Sequence, residues 1–112
     1  MTWIEIEAGS KRAQKYHFDD TRFYGSIWIN SRKPHLIYVS YVSSLDQSKG
    51  NFKCWLTNLA ANKTLTIKVV RPVDATAHIL EGIGGFIKND EELPYPVMSK
   101  QAEVWTREGV KV

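Results

Sequence analysis

Residues 35–42, His-Leu-Ile-Tyr-Val-Ser-Tyr-Val, limit what this chain can fold into more than any other segment. β-Branched and aromatic side chains fall on both alternating faces, so an extended strand here is largely apolar on each side. Such a strand needs cover on both faces, which makes it the expected centre of a sheet. Other short strands surround it. In residues 3–7, Ile4 and Ile6 alternate with Trp3, Glu5 and Glu7. Residues 22–29 form a second strand, followed by a turn over Asn30-Ser31-Arg32-Lys33-Pro34. Residues 52–57, Phe-Lys-Cys-Trp-Leu-Thr, read as a further strand. Residues 64–70 alternate, with Leu65, Ile67 and Val69 toward the core and Thr64, Thr66 and Lys68 toward water.

The segments between these strands are polar. Ser43 to Asn51 and Asn58 to Lys63 are expected as loops, and Gly9 to Lys15 as a loop in preference to one short helical turn. After Pro72, Asp74 is expected to cap a short helix over residues 75–81, with Ile79 and Leu80 buried and Gly82, Gly84 and Gly85 ending it. Asn89-Asp90-Glu91-Glu92 reads as a charged loop and Leu93-Pro94-Tyr95-Pro96 as a proline-stiffened segment. Val104 and Trp105 anchor the C-terminus as an edge strand. This order predicts a mainly β protein, a small antiparallel barrel or sandwich of about five to six strands with one short helix. The rival expectation is α+β with a single antiparallel sheet.

At 112 residues, 43% of them hydrophobic, the chain is expected to form one domain over residues 1–112, less regular and acidic from about residue 73. No apolar run approaches the roughly 20 residues of a membrane-spanning helix, so no membrane partner is expected. The N-terminus lacks a basic region followed by an apolar stretch, which argues against a signal peptide. Cys54 is the only cysteine, so no internal disulfide forms and a cytoplasmic location is expected.

Charge is unevenly placed. Residues 9–72 hold eleven Lys/Arg against three Asp, a net charge of +8, whereas the first eight residues carry −2 and the last forty −3. The basic part also holds Tyr16, Phe18, Tyr24, Trp28, Tyr38, Tyr41, Phe52 and Trp55. If Phe52, Cys54 and Leu56 point inward, strand alternation turns Lys53, Trp55 and Thr57 outward. With Ile27 and Ile29 inward, Tyr24 and Trp28 share the other face. Tyr24, Trp28, Lys53, Trp55 and Lys68 would then line one surface, with Arg22, Arg32 and Lys33 at its rim and the basic loop Lys11, Arg12 and Lys15 beside it. Flat rings for base stacking and cations for phosphates are what a single-stranded nucleic acid needs.

The leading expectation is therefore a non-enzymatic nucleic-acid-binding protein, for single-stranded DNA or RNA. The alternative is a protein-interaction, inhibitory or structural module that uses the same face at a homodimeric or heteromeric interface, since aromatics suit such interfaces. A carbohydrate platform is a further use for exposed rings. A small metal-dependent enzyme ranks third: His17 and Asp19 would share a face of a strand, but His35 or His78 would have to complete the site. Asp side chains stabilising a turn explain Tyr16-His17-Phe18-Asp19-Asp20 more simply. Cys54 reads as a small buried hydrophobe, and Gly82-Ile83-Gly84-Gly85 lacks the spacing of a phosphate-binding loop. No cofactor and no metal are expected. The acidic stretch Asp90-Glu91-Glu92 is placed to compete with a polyanion or merely to balance surface charge.

Overall fold

A computed structural model describes residues 2–46, 49–93 and 101–110. The elements run β1 (Trp3–Glu7), a 3₁₀ helix (Arg12–Tyr16), β2 (Phe23–Asn30), β3 (Lys33–Ser44), α1 (Asn51–Ala61), β4 (Thr66–Val70), α2 (Asp74–Ile83), β5 (Ile87–Glu92) and β6 (Gln101–Arg107). The six strands form one open sheet in the order β1-β2-β3-β4-β6-β5. The expected barrel or sandwich does not form. The fold is mixed α+β, and the α+β rival comes nearer, although the sheet is not purely antiparallel: β3 and β4 pair in parallel, Leu36 to Val39 against Thr66 to Val69.

That parallel pair accounts for the main error in the sequence reading. Two parallel neighbours need a crossover of a dozen or more residues, usually a helix. Residues 52–57, expected as a strand, lie in the crossover helix α1. Its buried residues are Trp55, Leu56, Leu59 and Ala60, the spacing of one helix face. Cys54, expected inside, is exposed.

Both helices pack on one face of the sheet. There Ile6, Ile27, Ile37, Val39, Ile67 and Val69 meet α1 and Leu80 of α2. Trp55 lies at the centre of this layer, its ring centroid 5.3 Å from that of Phe18 and 5.5 Å from that of Phe23. Its indole Nε1 donates to the Tyr16 carbonyl (2.9 Å), which ties α1 to the 3₁₀ helix. Arg107 of β6 donates to the Ala60 carbonyl (2.9 Å), a cation placed where the helix dipole favours one.

The opposite face carries a second, smaller cluster of Tyr38, Val70, Leu93, Ala102 and Val104, with Trp3, Trp28 and Leu36 packed against it. No helix contributes to it among the described residues. A β-bulge in β3 decides which tyrosine joins this face. Ser26 pairs with Tyr41 but Ile27 pairs with Val39, so Ser40 is the extra residue. The bulge inverts the alternation: Val42 packs against the helix-covered core, while Tyr41 shares the free face with Tyr24. Gly25 permits the close approach at this point. Its φ is +113°, and a Cβ there would lie 2.0 Å from the Tyr41 carbonyl oxygen.

Among the described residues after Pro72, α2, β5 and β6 are regular elements. Asp74 is the first residue of α2, and the capping position expected of it falls to Val73, which makes no side-chain cap hydrogen bond. Gly84 ends the helix with a positive φ of 86°, in the terminating role expected of this glycine cluster. Asn89 to Glu92, expected as a loop, belong to the edge strand β5, while β6 with Val104 and Trp105 is an interior strand. The segment from Pro94 to Pro96 lies outside the described residues. Among the described residues, no helix is long and apolar enough to cross a membrane.

Candidate functional site

The single basic aromatic surface does not assemble. Trp55 is 1% exposed and belongs to the dry core, because helical rather than strand periodicity sets its direction. Lys53, on the exposed side of α1, belongs to the helical layer instead of the sheet face that bears Tyr24, Trp28 and Lys68. Lys68 is already engaged. Its ammonium donates to Glu91 Oε1 at 2.7 Å, and Thr106 Oγ1 donates to the other oxygen of that carboxylate at 3.3 Å. The acidic stretch thus does fold back on the sheet, through Glu91. Trp28 is half-buried, flanked across the strands by Glu5 and Tyr38.

Cross-strand partners share a face, so the register gives the charge of the helix-free side directly. Glu7 is opposite Ser26, Glu5 opposite Trp28, and Glu5 accepts from Ser26 Oγ at 2.9 Å. With Glu91 and the paired Lys68 added, this face carries more carboxylate than ammonium. Of the remaining cations, Lys11 and Arg12 stand at the start of the 3₁₀ helix, and Arg32 and Lys33 at the β2–β3 turn, where Lys33 pairs with Asn30 at the rim of this face. This face therefore lacks the excess of positive charge that would gather phosphates.

The helix-free face exposes Ile87 near one edge and, near the other, a pair of tyrosines. Tyr24 and Tyr41 are 48% and 60% exposed, with ring centroids 6.0 Å apart in an edge-to-face arrangement. Hydrogen bonding to Tyr24 raises the Tyr41 pKa above that of a free phenol. Burial raises that of Tyr38, deeper on the same face, with the nearby Glu91 charge adding to it. A shallow depression beside Tyr24 is lined by Glu7, Asp20, Gly25, Ser26 and Leu45. Leu45 is itself an exposed apolar side chain. Neither Tyr41 nor Leu45 stands out in the sequence as a surface residue, because only the Ser40 bulge sets the direction of Tyr41.

Two deeper concavities flank α1. One, of about 230 Å³, opens where β3 and β4 cease to pair, between the first turns of α1 and α2, and is lined by Val42, Ser43, Phe52, Lys53, Thr76 and Ile79. The other, of about 370 Å³, lies at the far end of α1 and brings together Lys15, His17, Arg22 and His35.

His17 and Asp19 do not form the strand pair of the metal reading. His17 ends the 3₁₀ helix in a left-handed conformation, φ 55° and ψ 33°. Asp19 instead closes a turn: Thr21 Oγ1 and the Arg22 amide (3.1 Å) donate to one oxygen, and Arg22 Nε (2.8 Å) to the other. The Arg22 hydrogen bond is the main cause that brings the Asp19 pKa down to about 2. Among the described residues, no group of three or more His, Cys, Asp or Glu side chains is placed to hold a metal ion. No protein-family model matches the chain, and neither does any curated protein or solved structure.

Proposed function

We propose that this chain is a non-enzymatic protein-interaction module that docks a partner protein through the Tyr24–Tyr41 end of its helix-free sheet face. One observation carries the reading: two adjacent, exposed tyrosines stand on a sheet whose reverse side is a closed core. Tyrosine offers large, rigid, amphipathic contact area with few rotatable bonds, which is why it is enriched at interfaces. Exposed Leu45 adds apolar surface, and Glu7 and Asp20 line the adjoining depression. The matching partner surface presents an apolar group beside an arginine or lysine. The cation would meet the carboxylates and the face of a tyrosine ring together.

The same charge argument ranks this reading above nucleic-acid binding, since a polyanion would face Glu5, Glu7 and Glu91. The exposed thiol of Cys54 fits a reducing compartment, and we place the chain in the cytoplasm on that ground. The test is affinity capture with the intact chain and with a Tyr24→Ser/Tyr41→Ser variant, followed by titration of the captured protein. A partner that binds the parent chain and loses at least about tenfold in affinity for the variant supports the module. Equal binding by both chains would sink it. Salt-sensitive retention of a short single-stranded oligonucleotide, abolished by Lys53→Ala, would restore the nucleic-acid reading.

A further inference from the structure

We infer that the cleft at the C-terminal end of α1 is a binding site for a small organic anion, an apolar body carrying one carboxylate or phosphate. The cleft holds about 370 Å³, near the lower end of the range for small-molecule sites, about 300–1,000 Å³. A single ring or branched chain with an acidic group fits within such a space. Its polar wall is Lys15, His17, Arg22 and His35, and no carboxylate is among the lining residues. Leu59, Leu65 and Pro34 give it an apolar side, and Asn58 and Asn62 supply amide donors. The α1 carbonyls at this end oppose an anion, and Arg107 offsets part of that by bonding the Ala60 carbonyl.

One part of the wall, Arg22 and the His17 backbone, is held in place before any ligand arrives. His17 occupies the left-handed region, which a non-glycine residue keeps only where its surroundings fix it. Its amide donates to the Gln14 carbonyl at 3.2 Å, and its own carbonyl accepts from Arg22 Nη2 at 2.9 Å. Asp19 grips the same guanidinium through Nε and Nη2 from outside the cleft lining. Trp55 Nε1 anchors the preceding residue, Tyr16, to the core. Donors fixed in this way lose little freedom on binding. Asp19 neutralises part of the Arg22 charge, so Lys15 and the two imidazoles are the groups that distinguish an anion from a neutral analogue. The cavity at the other end of α1 has only Lys53 as a cation, so it makes an internal control.

The probes are phenyl phosphate, benzamide as its neutral counterpart and inorganic phosphate, titrated into the ¹⁵N-labelled full chain and followed by amide and imidazole resonances. Phenyl phosphate is expected to shift residues 15–22, His35 and residues 58–65 along one saturable curve. Lys15→Gln and His35→Gln should each weaken it about tenfold, the loss of one charge-assisted contact, and Lys53→Ala should leave it unchanged. Benzamide and inorganic phosphate should each bind at least about tenfold more weakly, since each lacks one half of the recognised chemistry. Unsaturable shifts spread over Lys33, Lys53 and Lys63 would reduce the effect to bulk charge attraction and overturn the site. So would equal affinity for benzamide, or unchanged affinity in the folded His35→Gln variant. His35 is exposed, so that variant decides the matter even if Lys15→Gln fails to fold.

Discussion

On one side of the sheet, Ile6, Ile27, Ile37 and Ile67 are all at most 1% exposed, in one core with Leu56 of α1. On the other side, the same strands present Trp3 and Trp28 half-buried, Tyr24 and Tyr41 exposed, and an ion pair between Lys68 and Glu91. Both faces are rich in large side chains. What separates them is whether a helix lies on top, and that sets which aromatics serve stability and which remain available for contact. The comparison can be broken most directly at its two tryptophans. Trp55→Ala should cost about 3–5 kcal/mol, because the ring packs against Phe18, Phe23 and Phe52 and leaves a cavity behind. Trp28→Ala, on the half-wet face, should cost about half that, since less apolar area returns to water. Urea unfolding of both variants measures the difference. Equal losses would mean that the helix-free face is as much a core as the covered one.

The bulge is the next point of attack. Gly25→Ala forces a Cβ to within 2.0 Å of the Tyr41 carbonyl at a φ of +113°, so β2 and β3 must part locally. Backbone strain of this kind costs about 1–3 kcal/mol. Because Ser40 sets the phase of the residues after it, the same variant should lower amide protection at Tyr41 and Val42 more than at Ile37. Uniform loss of protection would mean that the bulge does not hold Tyr41 on the free face.

How much of this was legible in the sequence follows from period. β1 and β4 are recognisable because their apolar residues alternate, and Leu65, Ile67 and Val69 are buried as the alternation requires, whereas β3 is recognisable because both of its faces are apolar. The helix 51–61 was misread because Phe52, Cys54 and Leu56 imitate a strand over one short window. The wider set Phe52, Trp55, Leu56, Leu59 and Ala60 carries the helical period, and the window stopped short of it. Reversing that one element overturned both the barrel and the basic surface, since Lys53 and Trp55 had been placed by alternation. β5 was hidden by its composition. Lys88, Asn89, Asp90, Glu91 and Glu92 look like a loop, yet charged residues are what guards an exposed edge strand. The histidine cleft is not legible in the sequence, because it joins segments far apart along the chain that only the α1 crossover brings together.

Charge sharpens the comparison further. Glu91→Gln removes the negative partner of Lys68 on the half-buried face, where the side chains are 17% and 27% exposed. The expected loss is about 1.5–3 kcal/mol, that of a hydrogen bond to a charged group. The Tyr38 pKa should also fall toward its ordinary value, because the Glu91 charge is one of two causes that raise it. Alkaline titration of tyrosine absorbance reports that shift. Asp19, on the helix-covered side, behaves differently with pH. Its folded pKa of about 2 lies below the unfolded value of about 3.9, so its contribution is present above the unfolded value and is lost as pH falls from there toward 2. Asp19→Asn should therefore flatten the pH dependence of stability between about pH 5 and pH 2. A variant curve parallel to the parent's would mean that Arg22 does not hold the carboxylate.

The smallest effect on stability is expected where the functional effect should be largest. Tyr24→Ser and Tyr41→Ser remove rings that already face water, so thermal unfolding of the double variant should overlay that of the parent chain. Leu45→Ser belongs to the same class. If the tyrosine pair instead stabilises the bulge, unfolding shifts downward and amide protection at Gly25 and Val42 falls with it, which makes the pair a structural clamp. The two accounts differ in a second readout as well. A clamp would lose its partner through disorder of β3 and would recover it with Tyr41→Phe, which restores the ring without its hydroxyl. A recognition surface would keep β3 ordered, lose the partner in the serine variants, and regain with phenylalanine only the part of the affinity that does not depend on the hydroxyl.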